Sequence, residues 1–324
     1  MRVPLLPPSA STLSDRVDAL YFSLIAVCGL VLFGIAGVMI FLLLKYRRGR
    51  CVFRQQRSCS TLPFELAWTI IPTGIFLGFF VWGAEIYQQM QRVPAGALEI
   101  QVVGQQWMWK ALHPGGQGEI DELHVPVDRD VKLTLASQDV IHSFYIPAFR
   151  LKQDVVPGRY TTAWFRAARL GRYHLFCAEY CGKDHSRMQG WVEVMSPEAY
   201  ENWLVRAQPA EPTVTAGARL FRELGCSGCH AGNGPVRAPP LEGLFGRPVA
   251  LSSRVVVLAD EAYLHDSILY PNREVAAGYE PLMPSYEGRI TEEQLFQLIA
   301  YLKWLAASSP VRDPPVGPTL RLPN

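Results

Sequence analysis

Net charge is almost absent from this chain of 324 residues, in which 31 basic side chains stand against 29 acidic ones, a balance of +2. Proteins that bind nucleic acid usually carry a strong basic excess or a basic face, so no nucleic-acid partner is expected. The seven cysteines are an odd number and cannot all pair as disulfides within one chain. Apolar residues make up an ordinary 49%, yet the mean hydropathy is positive at +0.08. The apolar residues are therefore concentrated in part of the chain.

Two long uncharged runs near the N-terminus account for this concentration. They cover residues 19–44 and 66–84, and about 20 apolar residues are enough for a helix to cross the hydrocarbon core. The first run is longer than the apolar stretch of a signal peptide. Pro72, in the second run, is tolerated in membrane helices. The sequence therefore predicts two transmembrane helices.

The loop between the two runs is basic, with six cations against the single acid Glu65. Cytoplasmic loops carry such an excess of Lys and Arg, so both termini and the chain after about residue 85 are expected on the periplasmic side of a bacterial inner membrane. In the reducing cytoplasm, Cys51 and Cys59 are expected to be free thiols, and Cys28 to be a small residue within the first span. The six cations are Lys45, Arg47, Arg48, Arg50, Arg54 and Arg57.

The periodicity changes after residue 97 to short β-rich runs separated by turn residues, which predicts an antiparallel sandwich or barrel. Ser196 followed by Pro197 predicts a helix start, and Thr291 with Gln294 forms a capping box ahead of another helix. The predicted strands cover residues 98–104, 131–137, 161–167, 172–177 and 190–194. The expected organisation is an N-terminal segment (1–18), a transmembrane hairpin (19–96), a β domain (97–207), a linker (208–217), an α domain (218–309) and a proline-rich tail (310–324).

Within the β domain, twelve residues contain Cys177, Cys181, His185 and Met188, and His142 lies further upstream. Thiolates and thioethers select soft metals, and His, Cys and Met together are typical of copper sites for electron transfer. Two cysteines could bridge two copper ions. A disulfide, a structural zinc site and a purely structural Met188 are the alternatives that spacing alone leaves open.

The α domain contains Cys226-Ser-Gly-Cys229-His230, the motif of covalent c-type haem attachment. Met283 is the only methionine after His230 and stands in a proline-flanked loop, which suits the second axial ligand of a high-potential haem. His265 is the alternative, but it lies in a helical run where a structural role is expected.

Residues 15–205 closely resemble subunit II of haem–copper cytochrome c oxidases, on the cysteine, histidine and methionine pattern just described. The resemblance implies a cupredoxin-like domain that holds the dinuclear CuA centre behind two membrane helices. No ligand position is missing, which argues against the quinol-oxidising relatives that lack the metal. The implied set is Cys177 and Cys181 bridging both coppers, His142 and His185 on one copper each, Met188 as a weak axial ligand and the carbonyl of Glu179 on the other copper.

The same resemblance implies three further roles. The side chain of Glu179 would reach a magnesium ion shared with subunit I. Trp107, in Gly104-Gln-Gln-Trp-Met-Trp109, matches the tryptophan where electrons enter, although a core tryptophan on a strand is the alternative. Glu65 matches a glutamate at the mouth of a proton channel, although a first-turn carboxylate that interacts with the helix dipole is the alternative.

With a class I cytochrome c domain at its C-terminus, the chain resembles subunit II of caa-type oxidases. The expected function is to receive electrons at haem c and pass them through CuA to subunit I, where oxygen is reduced to water and protons are translocated. Expected partners are subunit I, subunit III, membrane lipid and an upstream donor: a cytochrome bc complex, an alternative quinol-oxidising complex or a soluble cytochrome c. The alternatives are the equivalent subunit of a copper-containing nitric oxide reductase, and a membrane-anchored electron carrier or copper chaperone.

Overall fold

The structure is a computed structural model that describes residues 6–48, 61–207, 211–230 and 238–308. Outside the described residues lie Arg50, Cys51, Arg54, Arg57 and Cys59 of the predicted cytoplasmic loop, Arg237, and the tail 310–324.

Two helices, Ser14–Lys45 (α1) and Leu62–Gln91 (α2), contain the predicted spans and extend beyond them at both ends. Both are long and apolar enough to cross a membrane, and their apolar side chains are exposed in the isolated chain. Pro72 lies inside α2. Such bare apolar surface is stable in lipid and not in water.

Contacts at the ends of α1 and α2 attach this hairpin to the β region. Arg150 donates through Nε and Nη2 to the carboxylate of Asp18, both at 2.8 Å. The indole of Trp164 donates to the carbonyl of Gln89 at 3.0 Å. The two helices are therefore connected to the following domain by side chains as well as by the chain itself.

The β region is a sandwich of two five-stranded sheets. The first contains Leu98–Gln105 (β1), Met108–Leu112 (β2), Gly118–Ile120 (β3), Asp130–Ser137 (β5) and Thr161–Arg166 (β8), in the order β3-β2-β1-β5-β8. The second contains Glu122–Pro126 (β4), His142–Ile146 (β6), Leu151–Val155 (β7), Gly171–Cys177 (β9) and Gln189–Met195 (β10), in the order β4-β10-β9-β6-β7.

Strand pairing differs from the sequence prediction in two places, because β1 pairs with β5 and β4 pairs with β10 in parallel. A purely antiparallel sandwich was therefore wrong for these pairs. Parallel neighbours need a crossover instead of a tight hairpin, and β2, β3 and β4 supply it between β1 and β5. The inward face of β1 and β5 forms the core, which contains Ile100, Val102, Val131, Leu133 and Leu135.

A short helix, Pro197–Arg206 (α3), follows the sandwich, and Ser196 caps it as predicted by accepting a hydrogen bond from the Ala199 amide at 3.2 Å. The C-terminal region then contains Thr213–Glu223 (α4), Ser227–His230 (α5), Pro248–Ala250 (β11), Val256–Leu258 (β12), Glu261–Leu269 (α6) and Glu292–Ser308 (α7). The last five residues of the predicted linker, 213–217, are thus helical.

The predicted capping box at the start of α7 is confirmed. The Thr291 amide donates to Oε1 of Gln294 at 2.9 Å, and the Gln294 amide donates to Oγ1 of Thr291 at 3.2 Å. The main helix contact of this region is between α4 and α7. At Gly217 a Cβ atom would lie 2.0 Å from the carbonyl oxygen of Gln297, so only glycine allows the two helices to approach so closely.

Candidate functional site

The predicted copper ligands meet at one end of the second sheet. His142 begins β6 and Cys177 ends β9, and these strands are antiparallel neighbours that pair Phe144 with Cys177. Cys181 and His185 lie in the loop that follows β9, and Met188 directly precedes β10. Strand pairing therefore brings together residues that are 35 positions apart in the chain.

The two sulfur atoms are the centre of the group. Sγ of Cys177 lies 3.8 Å from Sγ of Cys181 and 3.9 Å from Nδ1 of His142. Sγ of Cys181 lies 3.4 Å from Nδ1 of His185 and 3.7 Å from Sδ of Met188. Both cysteines are free, so the disulfide alternative does not apply to this structure.

A sixth donor, the carbonyl oxygen of Glu179, lies 3.2 Å from Sγ of Cys177. Each sulfur thus has one imidazole nitrogen and one further donor beside it. Most of the group is shielded from water, since His142, Cys181 and Met188 are 0%, 3% and 1% exposed, while His185 is half-buried. A tetrahedral zinc ion would use four donors and leave the thioether and the carbonyl idle. The donor set therefore fits copper, which takes thiolate, imidazole and a weak axial ligand.

Hydrogen bonds orient the first histidine. Nε2 of His142 lies 2.8 Å from Oδ1 of Asp139, which directs Nδ1 toward the cysteine, and the amide of Gln106 donates to Asp139 at 2.8 Å. The Gln106 side chain also donates to the carbonyl of Cys181 at 2.7 Å. A carboxylate behind a ligating histidine is a common support of metal sites. Sequence reasoning missed Asp139 and Gln106, although a carboxylate three residues before His142 was a usable signal.

The pKa values of the two thiols are shifted in opposite directions. Burial alone would raise the pKa of Cys177, but hydrogen bonds from His142 and the backbone outweigh it and lower the pKa to about 6. Burial and the neighbouring Cys177 raise the pKa of Cys181 to about 12. Two thiolates this close repel each other in the absence of a cation, so a metal charge is needed to ionise both.

Three further residues predicted from the sequence lie around this group or apart from it. Trp107 is partly buried against the core beside the ligand loop, and its Nε1 has no hydrogen-bond partner among the described residues. The side chain of Glu179 is exposed, as a residue shared with another subunit would be. Glu65 is exposed in the first turn of α2. The roles predicted for these three residues stay predictions.

The C-terminal region encloses a cavity of about 320 Å³. Cys226, Cys229, His230 and Met283 all line it, together with apolar side chains of α6 and α7. His265 does not line the cavity; it is buried on the other side of α6, where Nδ1 lies 2.8 Å from Asp266. Of the two candidate axial ligands, the cavity therefore contains the methionine.

His230 is held in an orientation that suits an iron ligand. Its Nδ1 donates to the carbonyl oxygen of Pro239 at 3.0 Å, which leaves Nε2 for the cavity. Tyr286 donates to the carbonyl of Leu224 at 2.7 Å and lies 4.0 Å from Sγ of Cys226. A large apolar cavity with two thiols, an imidazole and a thioether on its walls fits a covalently bound haem.

A second polar cluster lies where β3 of the first sheet connects to β4 of the second sheet, and its polar groups satisfy one another. Glu119 binds His113 at 2.7 Å and also binds His124, and the latter ring stacks on Trp203. His113 in turn lies 2.8 Å from the hydroxyl of Tyr200. These contacts attach α3 to the sandwich, and the histidines satisfy the carboxylate.

Comparison with known proteins gives two families for the two parts of the chain. Residues 110–195 match the family of the cytochrome c oxidase subunit II periplasmic domain, and residues 214–306 match the cytochrome c family. Cytochrome c oxidase subunit 2 of Synechocystis sp. is 29% identical over 67% of this chain and 79% of its own length. The protein of the same name from Thermostichus vulcanus is 31% identical over 61% of this chain and 77% of its own length.

Among solved structures, the periplasmic domain of subunit II of cytochrome oxidase from Bradyrhizobium japonicum is 32% identical, with a TM-score of 0.35, over 36% of this chain and 96% of that one. The first family match ends just before α3, and the second begins at the start of α4. The boundary between them therefore lies where the sandwich ends and the helical region begins. On the sequence relationship, the chain belongs to the cytochrome c oxidase subunit II family and carries a cytochrome c domain at its C-terminal end.

Proposed function

We propose that this chain is the subunit through which electrons enter a membrane-bound cytochrome c oxidase, with a dinuclear copper centre and one covalent haem c as its carriers. When bound, these two groups supply one-electron transfer toward subunit I, where oxygen is reduced. The proposed copper ligands are Cys177, Cys181, His142, His185, Met188 and the carbonyl of Glu179. The proposed haem residues are Cys226, Cys229, His230 and Met283.

The six-donor group around the two sulfurs is the observation that carries this proposal. The fold already holds these donors in a pocket that is mostly shielded from water, so little has to move when the charge of the site changes by one electron. Asp139 keeps the His142 ring in place, and Gln106 keeps the loop at Cys181 in place. The chain has no comparable group of histidines for an oxygen-reducing centre among its described residues. Oxygen chemistry is therefore assigned to a partner subunit.

The membrane arrangement follows from the same relationship. We propose that α1 and α2 anchor the chain in a bacterial inner membrane beside subunit I and subunit III, with both termini and both redox domains on the periplasmic side. A magnesium ion at the exposed carboxylate of Glu179 and a proton-channel role for Glu65 belong to this arrangement. The upstream donor is a cytochrome bc complex, another quinol-oxidising complex or a soluble cytochrome c.

Optical spectroscopy of the purified holo-protein tests the carriers directly. The expected spectrum combines the near-infrared absorption of a mixed-valence copper pair with a c-type haem band. Cys181→Ser should remove the first signal and leave the second, whereas Cys226→Ala with Cys229→Ala should do the reverse. If the unaltered protein lacks the near-infrared absorption, the proposed copper centre is wrong.

Gas consumption by the purified complex tests the acceptor. The relatives are named as oxidases, so oxygen uptake with a reduced cytochrome as donor is the expected activity. Consumption of nitric oxide without oxygen uptake would assign the chain to a nitric oxide reductase instead. Purification of the chain without any partner subunit would favour a membrane-anchored electron carrier.

A further inference from the structure

The outer face of the first sheet is covered by the cytochrome region. Phe296 of α7 is 1% exposed and packs with Val103 of β1 and Ala136 of β5. Tyr160, which directly precedes β8, stacks on Phe296 with ring centres 5.1 Å apart. An aromatic side chain buried to this extent between two domains indicates a fixed contact instead of a transient one.

Four charged side chains surround this contact in alternating order. Lys132 of β5 lies 2.8 Å from Glu99 of β1 and 3.2 Å from Glu261 of α6. Lys303 of α7 lies 3.0 Å from Glu99 and 2.6 Å from Glu261. Each cation thus contacts one carboxylate from each domain. Burial disfavours the charge of Glu99, but its hydrogen bonds and the two lysines outweigh burial and lower its pKa to about 2.

The ring of Tyr160 contacts the cytochrome region at two points, Phe296 of α7 and His265 of α6. The ring centres of Tyr160 and His265 are 4.5 Å apart. The neighbouring residues Leu264 and Ile268 of the same helix line the haem cavity. Tyr160 therefore contacts α6 on the side opposite to the one that lines the haem cavity.

From Tyr160 a short stretch of chain leads to the copper ligands. Pro157 forms a bridge with Ser137 at the end of β5, and Val155 is the partner of His142 in the pairing of β6 with β7. Thr161, next to Tyr160, donates to the carbonyl of Asp154 at 2.8 Å. Bonded and hydrogen-bonded atoms thus connect Tyr160 with the first copper ligand.

We propose that the cytochrome domain is fixed on the first sheet. On this arrangement, and resting on the proposed function, Tyr160 is the positioning residue for electron transfer from the haem site to the copper site. With both groups bound, one electron would pass from the haem iron held by His230 and Met283 to the copper pair held by Cys177 and Cys181, so that the iron would be oxidised and the copper pair reduced by one electron, with no bond made or broken and no proton moved. Trp107 is not assigned to this route, because it packs against the core of the sandwich and its Nε1 has no hydrogen-bond partner among the described residues.

Substitution of Tyr160 tests the route in the full-length holo-protein. The Tyr160 hydroxyl is buried and has no hydrogen-bond partner among the described residues, so Tyr160→Phe keeps every ring contact and is the matched control. Tyr160→Leu removes the ring. After rapid photoreduction of the haem, we expect Leu to slow reduction of the copper pair on the order of tenfold, because small displacements between reacting groups cost large factors in rate. The Phe variant should match the unaltered protein.

Charge exchange tests the fixed position of the domain by a measurement that does not depend on activity. Pulsed electron paramagnetic resonance between ferric haem and the mixed-valence copper pair should give one narrow distance distribution. Lys303→Glu should broaden it. Reversal of all four charges, by adding Lys132→Glu, Glu99→Lys and Glu261→Lys, should restore it, because each cation then again contacts one carboxylate from each domain.

Three outcomes separate the possible failures. Absence of either spectroscopic signal in the unaltered protein overturns the proposed function. Both signals with a broad distance distribution overturn the fixed position of the domain. A narrow distribution with unchanged transfer in Tyr160→Leu, or with transfer slowed by Trp107→Leu instead, overturns the role of Tyr160.

Discussion

The copper region and the haem region hold their ligands in two different ways. In the sandwich, each nitrogen, oxygen and thioether donor already lies within 4 Å of one of the two cysteine sulfurs. In the helical domain, Cys226, Cys229, His230 and Met283 stand around a cavity of about 320 Å³. The protein fold alone therefore brings the copper ligands together. In the helical domain, by contrast, the haem would fill a space that the side chains leave empty. The two regions should respond differently to loss of their cofactors.

Preventing haem attachment should have the largest effect on stability. An apolar cavity costs about 24 cal/mol per Å³, so 320 Å³ corresponds to about 8 kcal/mol, comparable to the whole stability of a domain. Cys226→Ala with Cys229→Ala should therefore unfold the cytochrome domain and leave the sandwich folded. Hydrogen exchange would show lost protection in α6 and α7 and retained protection in β5 and β6.

Ser227→Ala, between the two cysteines, is the matched control and should keep the haem and the protection of both regions. Full protection of α6 and α7 in the haem-free variant would mean that the helices pack without the haem. The contrast between the two regions would then be lost.

Backbone contacts sharpen the comparison, because in each region, among the described residues, a glycine lies so close to a backbone carbonyl oxygen that a side chain would not fit. A Cβ at Gly217 would lie 2.0 Å from the carbonyl oxygen of Gln297, and one at Gly190 would lie 2.3 Å from that of Asp121. Overpacking of this kind costs about 1–3 kcal/mol. Gly217→Ala should lower the melting temperature of the cytochrome domain and Gly190→Ala that of the sandwich. Gly118→Ala, where a Cβ meets open space, should leave both transitions in place.

The border between the regions contains a pH-dependent group. Burial raises the pKa of Glu292 from 4.5 to about 7, and its Oε2 has no hydrogen-bond partner among the described residues. Tyr160 faces it across the border, and Glu293 beside it binds Lys110 at 3.1 Å. A carboxyl group with a raised pKa does not lower the free energy of unfolding when it is protonated in both the folded and the unfolded state. Its cost appears as the pH rises from about 4.5 and is complete above about 7.

Glu292→Gln should therefore stabilise the protein by about 3 kcal/mol at pH 8 and by nearly nothing at pH 4. Chemical denaturation of the variant and of the unaltered protein at both pH values would measure this difference. Glu293→Gln, which removes the neighbouring carboxylate that binds Lys110, is the control for the loss of one negative charge from α7. An equal gain at both pH values would indicate an effect of packing instead of ionisation.

Most of the architecture could be predicted from local patterns. Uncharged runs predicted α1 and α2, side-chain caps predicted the starts of α3 and α7, and alternation predicted most strands. The parallel pairs and the docking of the two domains could not be predicted, because they depend on partners that are distant in the chain. Lys132 and Glu261 illustrate this: they are 129 positions apart, and nothing local to either residue indicates the other.

The ligand residues themselves were visible because sulfur, imidazole and thioether groups are rare and their spacing is constrained. The residues that orient these ligands were harder to identify from the sequence. Asp139 could have been identified because it is a carboxylate three residues before His142, whereas the importance of Gln106 follows only from where β6 and the β1–β2 turn meet. Tyr160 likewise is one of 13 tyrosines and becomes distinctive only through its position between Phe296 and His265.

Loss of copper should have the smallest effect on folding, which is the other half of the comparison. Cys181→Ser keeps the size of a buried side chain and removes one bridging sulfur, so the copper signal should vanish. The pocket is already filled by its own donors, so the sandwich should lose only about 1 kcal/mol, the size of an average substitution. Denaturation followed by tryptophan fluorescence would measure this, with Ser186→Ala on the exposed side of the same loop as control. Complete unfolding of the sandwich in the copper-free variant would show that copper, like haem, is part of the core. The two regions would then differ in the size of the group they hold and not in how they fold.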